Sequence, residues 1–536
     1  MPLIHDYLHQ PFPSQRLCHF ARGGMVATSQ PLATQAGLEI LKKGGNAIDA
    51  AVATAACLTV VEPTANGIGG DAFALIWHQG QLHGLNASGQ APWKISPDAL
   101  TEQGFQEIPK FGFIPVTIPG AVGGWATAIK RFGQLSLEEV LAPAITYARQ
   151  GYPLSPNLAV AWQRAYEIYQ NLQGEEYSAW FKTFAPGGRP PKCGEVWRSP
   201  DHADTLEAIA QSDGQSFYQG ELSEQIDRFF RMYDGYLRGE DLARYQPQWV
   251  EPIGIRYRDV EVWEIPPNGQ GIVALIALKI MAGFTATTLD DHTCHRQLEA
   301  IKLAFADGKA HVADPDFMTV PSQVFLKDEY AEARRRLITS QASLPPAGQP
   351  DRGGTVYLAT ADGQGNMVSF IQSNYMGFGS GLVVPGTGIA LQNRGHNFSL
   401  EPGHPNRLAP GKRSYHTIIP GFLTQKGEAL GPFGVMGGFM QPQGHLQVIM
   451  NMVDFGLNPQ AALDAPRWQW LEGKTVALEQ NFPPELAQQL ADRGHKIQIL
   501  LDNSSFGRGQ IILRNRETGV LVGATESRTD GAVVGY

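Results

Sequence analysis

Apolar positions along this chain alternate between short β-like runs and long blocks with almost no polar interruption. Residues 24–29 pattern as a strand, and residues 31–43 as a helix stopped by the pair Gly44-Gly45. Residues 47–61 form a second helix, apolar nearly all round and therefore buried. Strand patterns follow at 72–77 and 81–85, with helical ones at 135–149 and 205–211. A Pro/Gly turn at 266–271 leads into an apolar helix at 272–281. Residues 293–311 continue as a helix, with Asp290 and Asp291 ahead of its first turn. From Thr355 onward the chain is β-rich, interrupted by helices near 444–455 and 484–493. Strands mixed with buried helices predict an α+β fold with helices packed over sheets. Paired glycines, from Gly23-Gly24 to Gly437-Gly438, are scattered over the whole length. That scatter predicts one interwoven domain instead of separate beads.

The sharpest break in the pattern lies at Thr355. Residues 343–354 are Pro/Gly-rich and aperiodic, ending Pro350-Asp351-Arg352-Gly353-Gly354. A strand-like run then opens on Thr355, stops at Asp362-Gly363-Gln364-Gly365-Asn366, and resumes at Met367, which reads as a β-hairpin. A threonine at the head of a strand behind a flexible linker suggests a nucleophile exposed by cutting the chain in front of it. Its freed α-amino group would then be the base. Such an amine has a pKa near 7.7–8.0, so a useful fraction is neutral at pH 7. Gly354 puts no side chain in the way of attack on its carbonyl. The alternative is an ordinary loop-to-strand junction.

Composition narrows the setting. The chain has 536 residues, 43% of them hydrophobic, enough for a large core. A net charge of -9 gives no support for nucleic acid or anionic membrane as a partner. The longest apolar stretches are shorter than a membrane span. Cys18, Cys57, Cys193 and Cys294 are far apart and form no CxxC pair, as expected of reduced thiols. Residues 1–16 lack the apolar core of a secretory signal. Together these predict a cytoplasmic protein.

Other motifs carry chemistry less specifically. Phe433-Gly434-Val435-Met436-Gly437-Gly438-Phe439 reads either as a glycine turn or as an oxyanion hole at the head of the helix carrying His445. Gly377-Phe378-Gly379-Ser380-Gly381 fits neither a nucleophile elbow nor a phosphate loop and reads as a turn. Asp290-Asp291-His292-Thr293-Cys294-His295 offers metal-ligand types, but contiguous residues at a helix start fan out around its axis. No metal and no cofactor are called for. Arg394, His396, Arg407, Lys412, Arg413 and His416 are either surface charge or a receptor for an acidic substrate group.

Over nearly its whole length the sequence resembles the γ-glutamyltranspeptidase family of N-terminal nucleophile hydrolases. The carriers include Ala27-Thr28-Ser29-Gln30-Pro31-Leu32-Ala33, Gly44-Gly45-Asn46-Ala47-Ile48-Asp49-Ala50-Ala51, Gly67-Ile68-Gly69-Gly70-Asp71 and Ile118-Pro119-Gly120-Ala121-Val122. Further along come Leu303-Ala304-Phe305-Ala306-Asp307, Phe378-Gly379-Ser380-Gly381, Met436-Gly437-Gly438 and Leu463-Asp464-Ala465-Pro466-Arg467. The resemblance implies a four-layer αββα sandwich and a precursor that cuts itself between Gly354 and Thr355. The products would be a large subunit, 1–354, and a small one, 355–536, that stay together; a dimer of such heterodimers is left open. It further implies Thr355 as nucleophile and base, Gly437 and Gly438 as the oxyanion hole, and Ser373 as a supporting hydroxyl.

Departures from the family pattern fall in the substrate clamp. Ser88 stands where members that bind a γ-glutamyl group carry an Arg for its α-carboxylate. Asn397 replaces an acidic residue for the α-ammonium, His416-Thr417 replaces a Ser-Ser pair, and Arg394 replaces Gln. Losing such charged contacts costs about 1.5–3 kcal/mol each. Ser88, Tyr375, Arg394, Asn397, His416 and Thr417 are the candidate substrate-binding residues. The leading expectation is a Thr acyl-enzyme amidohydrolase for small amides, γ-glutamyl compounds such as glutathione or related acyl amides, with water or an amine as acceptor. One alternative is an acylase, or a hydrolase of glutaryl- or oxamate-like amide acids, without γ-glutamyl preference. Another is a non-catalytic binding protein on the same fold.

Overall fold

The computed structural model describes residues 16–344 and 354–536. Residues 1–15 and most of the 343–354 linker lie outside the described part. The expected helices form where local chemistry can start and stop them. The Gln30 side chain caps the helix Pro31–Lys42 by accepting from Leu32 and Ala33 N–H, with Pro31 at its first position. Gly44, at φ +99°, ends it. Asn46 and Asp49 form a capping box that opens Ala47–Val61, and every residue of that helix is buried.

Two antiparallel seven-stranded sheets form the centre. The first runs Ala532–Gly535, Gly24–Thr28, Gly354–Asp362, Met367–Tyr375, Asp71–His78, Gln81–Ala87, Gln248–Val250. The second runs His19–Ala21, Leu521–Thr525, Arg508–Arg514, Glu428–Met436, Gly421–Gln425, Val260–Glu264, Ile253–Tyr257. Phe73, Leu75, Tyr357, Ile371, Phe422 and Ile512 fill the space between them. Gly434 permits the close approach there: a Cβ on it would stand 2.4 Å from the Tyr357 ring. Helices Pro31–Lys42, Ala47–Val61 and Ala121–Phe132 cover the first sheet. Helices Gly271–Ala282 and Met440–Val453 cover the second, with Asp291–His311 packed against them. Three apolar cores thus separate four layers, αββα, as expected of an N-terminal nucleophile hydrolase.

The hairpin predicted at Thr355 is present, pairing Gly354–Asp362 with Met367–Tyr375. Asp362 Oδ1 accepts the Gln364 and Asn366 amides in its turn, while Oδ2 accepts Ala47 N–H. One carboxylate therefore closes the hairpin and caps the buried helix. Beyond the two C-terminal helices anticipated, a third forms at Pro459–Asp464, too short to show a helical period. Among the described residues, no helix is long and apolar enough to cross a membrane.

Candidate active site

Thr355 sits on an irregularity. The ladder shifts register between Gly354 and Val356, so Thr355 lies at a bulge opposite the end of the 367–375 strand. It is buried, and its Oγ1 donates to the Gly354 carbonyl oxygen at 2.8 Å. Ser373 Oγ donates to that same oxygen at 2.6 Å, accepts from Tyr375 N–H at 2.7 Å, and lies 3.3 Å from Thr355 Oγ1. Two hydroxyls thus converge on one carbonyl and polarise it. Gly354 is closely boxed: a Cβ would meet Gly377 N at 3.1 Å and Ala65 Cα at 3.2 Å.

The strand Glu428–Met436 ends in Gly437 (φ +131°) and Gly438 (φ +60°), just ahead of helix Met440–Val453. Their carbonyls are engaged: Gly437 O accepts Met440 N–H, and Gly438 O accepts Gln441 N–H and Gln270 Nε2. Among the described residues neither glycine N–H has a partner, as an anion-binding turn requires. His445 braces the strand before the turn. Its Nε2 accepts Val435 N–H, and its Nδ1 donates to buried Glu264 at 2.6 Å. Gln270 joins the turn to the substrate side, donating also to Thr417 O at 2.6 Å and accepting from Tyr415 OH.

Arg394 is fully buried in the short turn Arg394–Asn397. Its Nη1 donates to Thr417 Oγ1 at 2.7 Å, and its guanidinium lies 4.4 Å from the centroid of the Tyr375 ring. Among the described residues, its Nε and Nη2 are buried without a partner. Tyr375 pairs with Gly354 in the ladder, at φ +75°, a conformation rare for a side-chain-bearing residue. His416 Nε2 lies 3.1 Å from Asp71 Oδ2, while Asp71 Oδ1 accepts the Gly89 and Gly120 amides. His416 Nδ1 accepts Ile418 N–H, so Nε2 carries the proton given to Asp71. Burial pushes the Asp71 carboxyl up to about 7, opposed by Arg394. Burial and Arg394 hold His416 well below its ordinary range, hence neutral. Burial lowers Arg394 to about 10, so it remains charged at neutral pH.

The site residues named from sequence separate into two groups. Gly354, Thr355, Ser373, Tyr375, Arg394 and Thr417 are joined by direct contacts, with Gly438 tied in through Gln270. Ser88 donates to Asn86 Oδ1 and is linked to His416 through Asn268. Asn397 faces a cavity of about 390 Å³ lined also by Tyr375, His396, Tyr415, Phe439 and Lys309. A second cleft of similar volume, around Glu175, Glu221 and Met232, contains none of these residues. Of the basic cluster, Arg394, Lys412, Arg413 and His416 are buried, which overturns surface charge for them, while Arg407 pairs with Asp98. The side chains of Asp290, Asp291 and His295 diverge, capping Thr293 N–H, pairing with Arg493 and bonding to His495. His295, Glu299 and His495 do converge, but Lys302 and Ser343 occupy the Glu299 oxygens.

The sequence model for "Gamma-glutamyltranspeptidase" matches residues 33–536. The chain belongs to the gamma-glutamyltranspeptidase family. It is an amidohydrolase of that family, whose members include the glutathione hydrolase-like YwrD proenzyme of Bacillus subtilis. That relative is 36% identical over 95% of this chain and 98% of its own length. The oxamate amidohydrolase proenzyme of Klebsiella pneumoniae is 34% identical, over 96% of this chain and 98% of that protein. Among solved structures, a cephalosporin acylase from Bacillus halodurans superposes with a TM-score of 0.96 at 61% identity, covering 99% of both chains.

Asp71, Gln270, Glu264 and His445 were not among the site residues named from sequence. Asp71 had a usable signal, an acid placed directly ahead of an apolar strand; Gln270 had none beyond its Pro/Gly turn.

Proposed function

We propose that this family member cuts its own chain between Gly354 and Thr355 and then hydrolyses small amides through a Thr355 acyl-enzyme. The observation that carries the reading is the approach of Thr355 Oγ1 and Ser373 Oγ to the Gly354 carbonyl oxygen. In maturation, Oγ1 attacks the Gly354 carbonyl carbon and its proton passes to the departing Thr355 nitrogen. The peptide C–N bond is exchanged for an ester. Water then hydrolyses the ester, leaving a Gly354 carboxylate and a free Thr355 amine.

In catalysis that amine takes the Oγ1 proton as Oγ1 attacks the substrate amide, and returns it to the leaving amine when the C–N bond breaks. Gly437 and Gly438 N–H hold the oxyanion; losing one such donor costs about 2.7–4 kcal/mol of barrier lowering. Water, activated by the same amine, releases the acid. The large subunit is 1–354 and the small one 355–536. That relatives carry the name proenzyme supports the processing of a precursor.

Within this chemistry, acylase action without γ-glutamyl preference is favoured over glutathione hydrolysis. Ser88 and Asn397 offer no charge to an amino-acid head group, and the similar proteins named above include an acylase and an oxamate amidohydrolase. The decisive experiment is denaturing electrophoresis with mass measurement of the small chain. Wild type is expected as two bands with Thr355 at the new N-terminus. Thr355→Ala is expected as one full-length band without amidase activity. A wild-type chain that stays whole through long incubation would favour a non-catalytic binding protein instead.

A further inference from the structure

Arg394 presents a buried positive charge without an anion. Its Nε and Nη2 have no partner, and among the described residues no carboxylate lies within ion-pair distance of it. Asp71, the acid that acts on it most strongly, is committed elsewhere: Gly89 and Gly120 amides hold one oxygen and His416 the other. Arg413 adds to the imbalance, being buried with Nη2 unpartnered and Nε on the Ser88 carbonyl. Buried charge of this kind is costly unless something pairs with it. The Tyr375 ring beneath the guanidinium compensates only in part.

Position makes this charge relevant to the acyl group. Tyr375 lies under Arg394, pairs with Gly354 across the ladder, and lines the cavity. Thr417 holds one arm of the guanidinium, which leaves the other edge as the donor pair of a carboxylate fork. Nothing comparable awaits an ammonium. Among the described residues, the only acid lining the cavity is Glu107, exposed at its rim, and Asn397 on the cavity wall is uncharged.

We propose that the acyl half of the substrate ends in a carboxylate received by Arg394 and carries no α-ammonium, making this a hydrolase of short dicarboxylic acid monoamides. This rests on the Thr355 acyl-enzyme reading. A γ-glutamyl group would bring its ammonium beside an unpaired guanidinium with no acid to receive it. A plain fatty acyl group would leave the guanidinium unpaired.

The test uses the processed enzyme and three p-nitroanilides: glutaryl with a carboxylate alone, γ-glutamyl with carboxylate and ammonium, butyryl with neither. Glutaryl is expected to exceed both others in kcat/KM by about tenfold or more. In Arg394→Gln the glutaryl-to-butyryl ratio is expected to fall roughly ten- to hundredfold. Arg394→Lys, which keeps the charge but loses the fork, should fall between. Should Arg394→Gln fail to mature, inhibition of wild type decides: glutarate should compete with the butyryl substrate far better than butyrate or glutamate. Equal glutaryl and butyryl rates, a γ-glutamyl preference, or an unchanged ratio in both variants would overturn the assignment. No turnover of any anilide by fully processed protein would instead overturn the acyl-enzyme reading beneath it.

Discussion

Thr355 carries a hydroxyl and a backbone nitrogen on one residue, and in the proposed reaction the Gly354–Thr355 peptide bond decides whether that nitrogen can act as a base. While it is intact the nitrogen is an amide without basicity, and the hydroxyl points at Gly354 O. The same economy appears at Asp71, whose burial pushes its carboxyl up to about 7 among Arg394, Arg413, His416, Tyr218 and Tyr245. Below that pH it is neutral and leaves the Arg394 charge to a substrate carboxylate. Above it, the ionised acid, though held by Gly89, Gly120 and His416, offsets part of the Arg394 charge through space and weakens its pull on a substrate carboxylate. The KM for a glutaryl anilide is therefore expected to rise as pH passes from about 6 to 8.5, while kcat climbs with deprotonation of the Thr355 amine near 8. Asp71→Asn should flatten the rise in KM and leave the limb in kcat in place. A wild-type KM that is level over that range would contradict this through-space offset.

At the scale of elements, the glycine turn proposed as the oxyanion hole depends on what holds its ends. Gly437, at φ +131°, has Gly507 Cα 3.2 Å from where its Cβ would be. The neighbouring strand Arg508–Arg514 starts on a buried charge network, in which Glu526 accepts Gly509 N–H, Arg467 Nη2 and Arg528 Nη1. Such a network fixes geometry tightly, because removing one member leaves others buried and unpaired. The turn therefore has little freedom to absorb a side chain. Gly437→Ala, forced into a conformation costing about 1–2 kcal/mol, is expected to lower kcat by at least about tenfold with KM nearly unchanged. Steady-state kinetics of the processed variant would show it; an unaltered kcat would remove the turn from the mechanism.

At the scale of the molecule, the bond proposed to be cut is a poor place to divide the fold. Strand Gly354–Asp362 is hydrogen-bonded to Gly24–Thr28 on one side, and Met367–Tyr375 to Asp71–His78 on the other. In the second sheet Gly421–Gln425 pairs with Val260–Glu264. The core between the sheets takes Phe73 and Ile265 from before the cut and Tyr357 and Phe422 from after it. Pulling the pieces apart would expose this core and strip ladder bonds from both sheets. After cleavage the two chains are expected to co-elute in native size exclusion and to separate only with cooperative unfolding in denaturant. Dissociation in dilute native buffer would show that the interleaving contributes less than its geometry implies.

Periodicity along the chain was enough to predict the buried helix at 47–61, the hairpin after Gly354 and an α+β layering, because each depends on local spacing and capping. The sequence also marked Thr355 and the glycine pair, since linker composition and glycine runs are local signals. Partnership was decided only in three dimensions. Asp71 and His416, or Gly438 and Thr417 through Gln270, meet across segments with no shared pattern. The same holds for Arg394, one basic residue among six in sequence. Only the packing of Tyr375, Thr417 and an already committed Asp71 around it leaves a charge buried and unpaired, because burial and hydrogen-bond satisfaction are properties of the assembled layers.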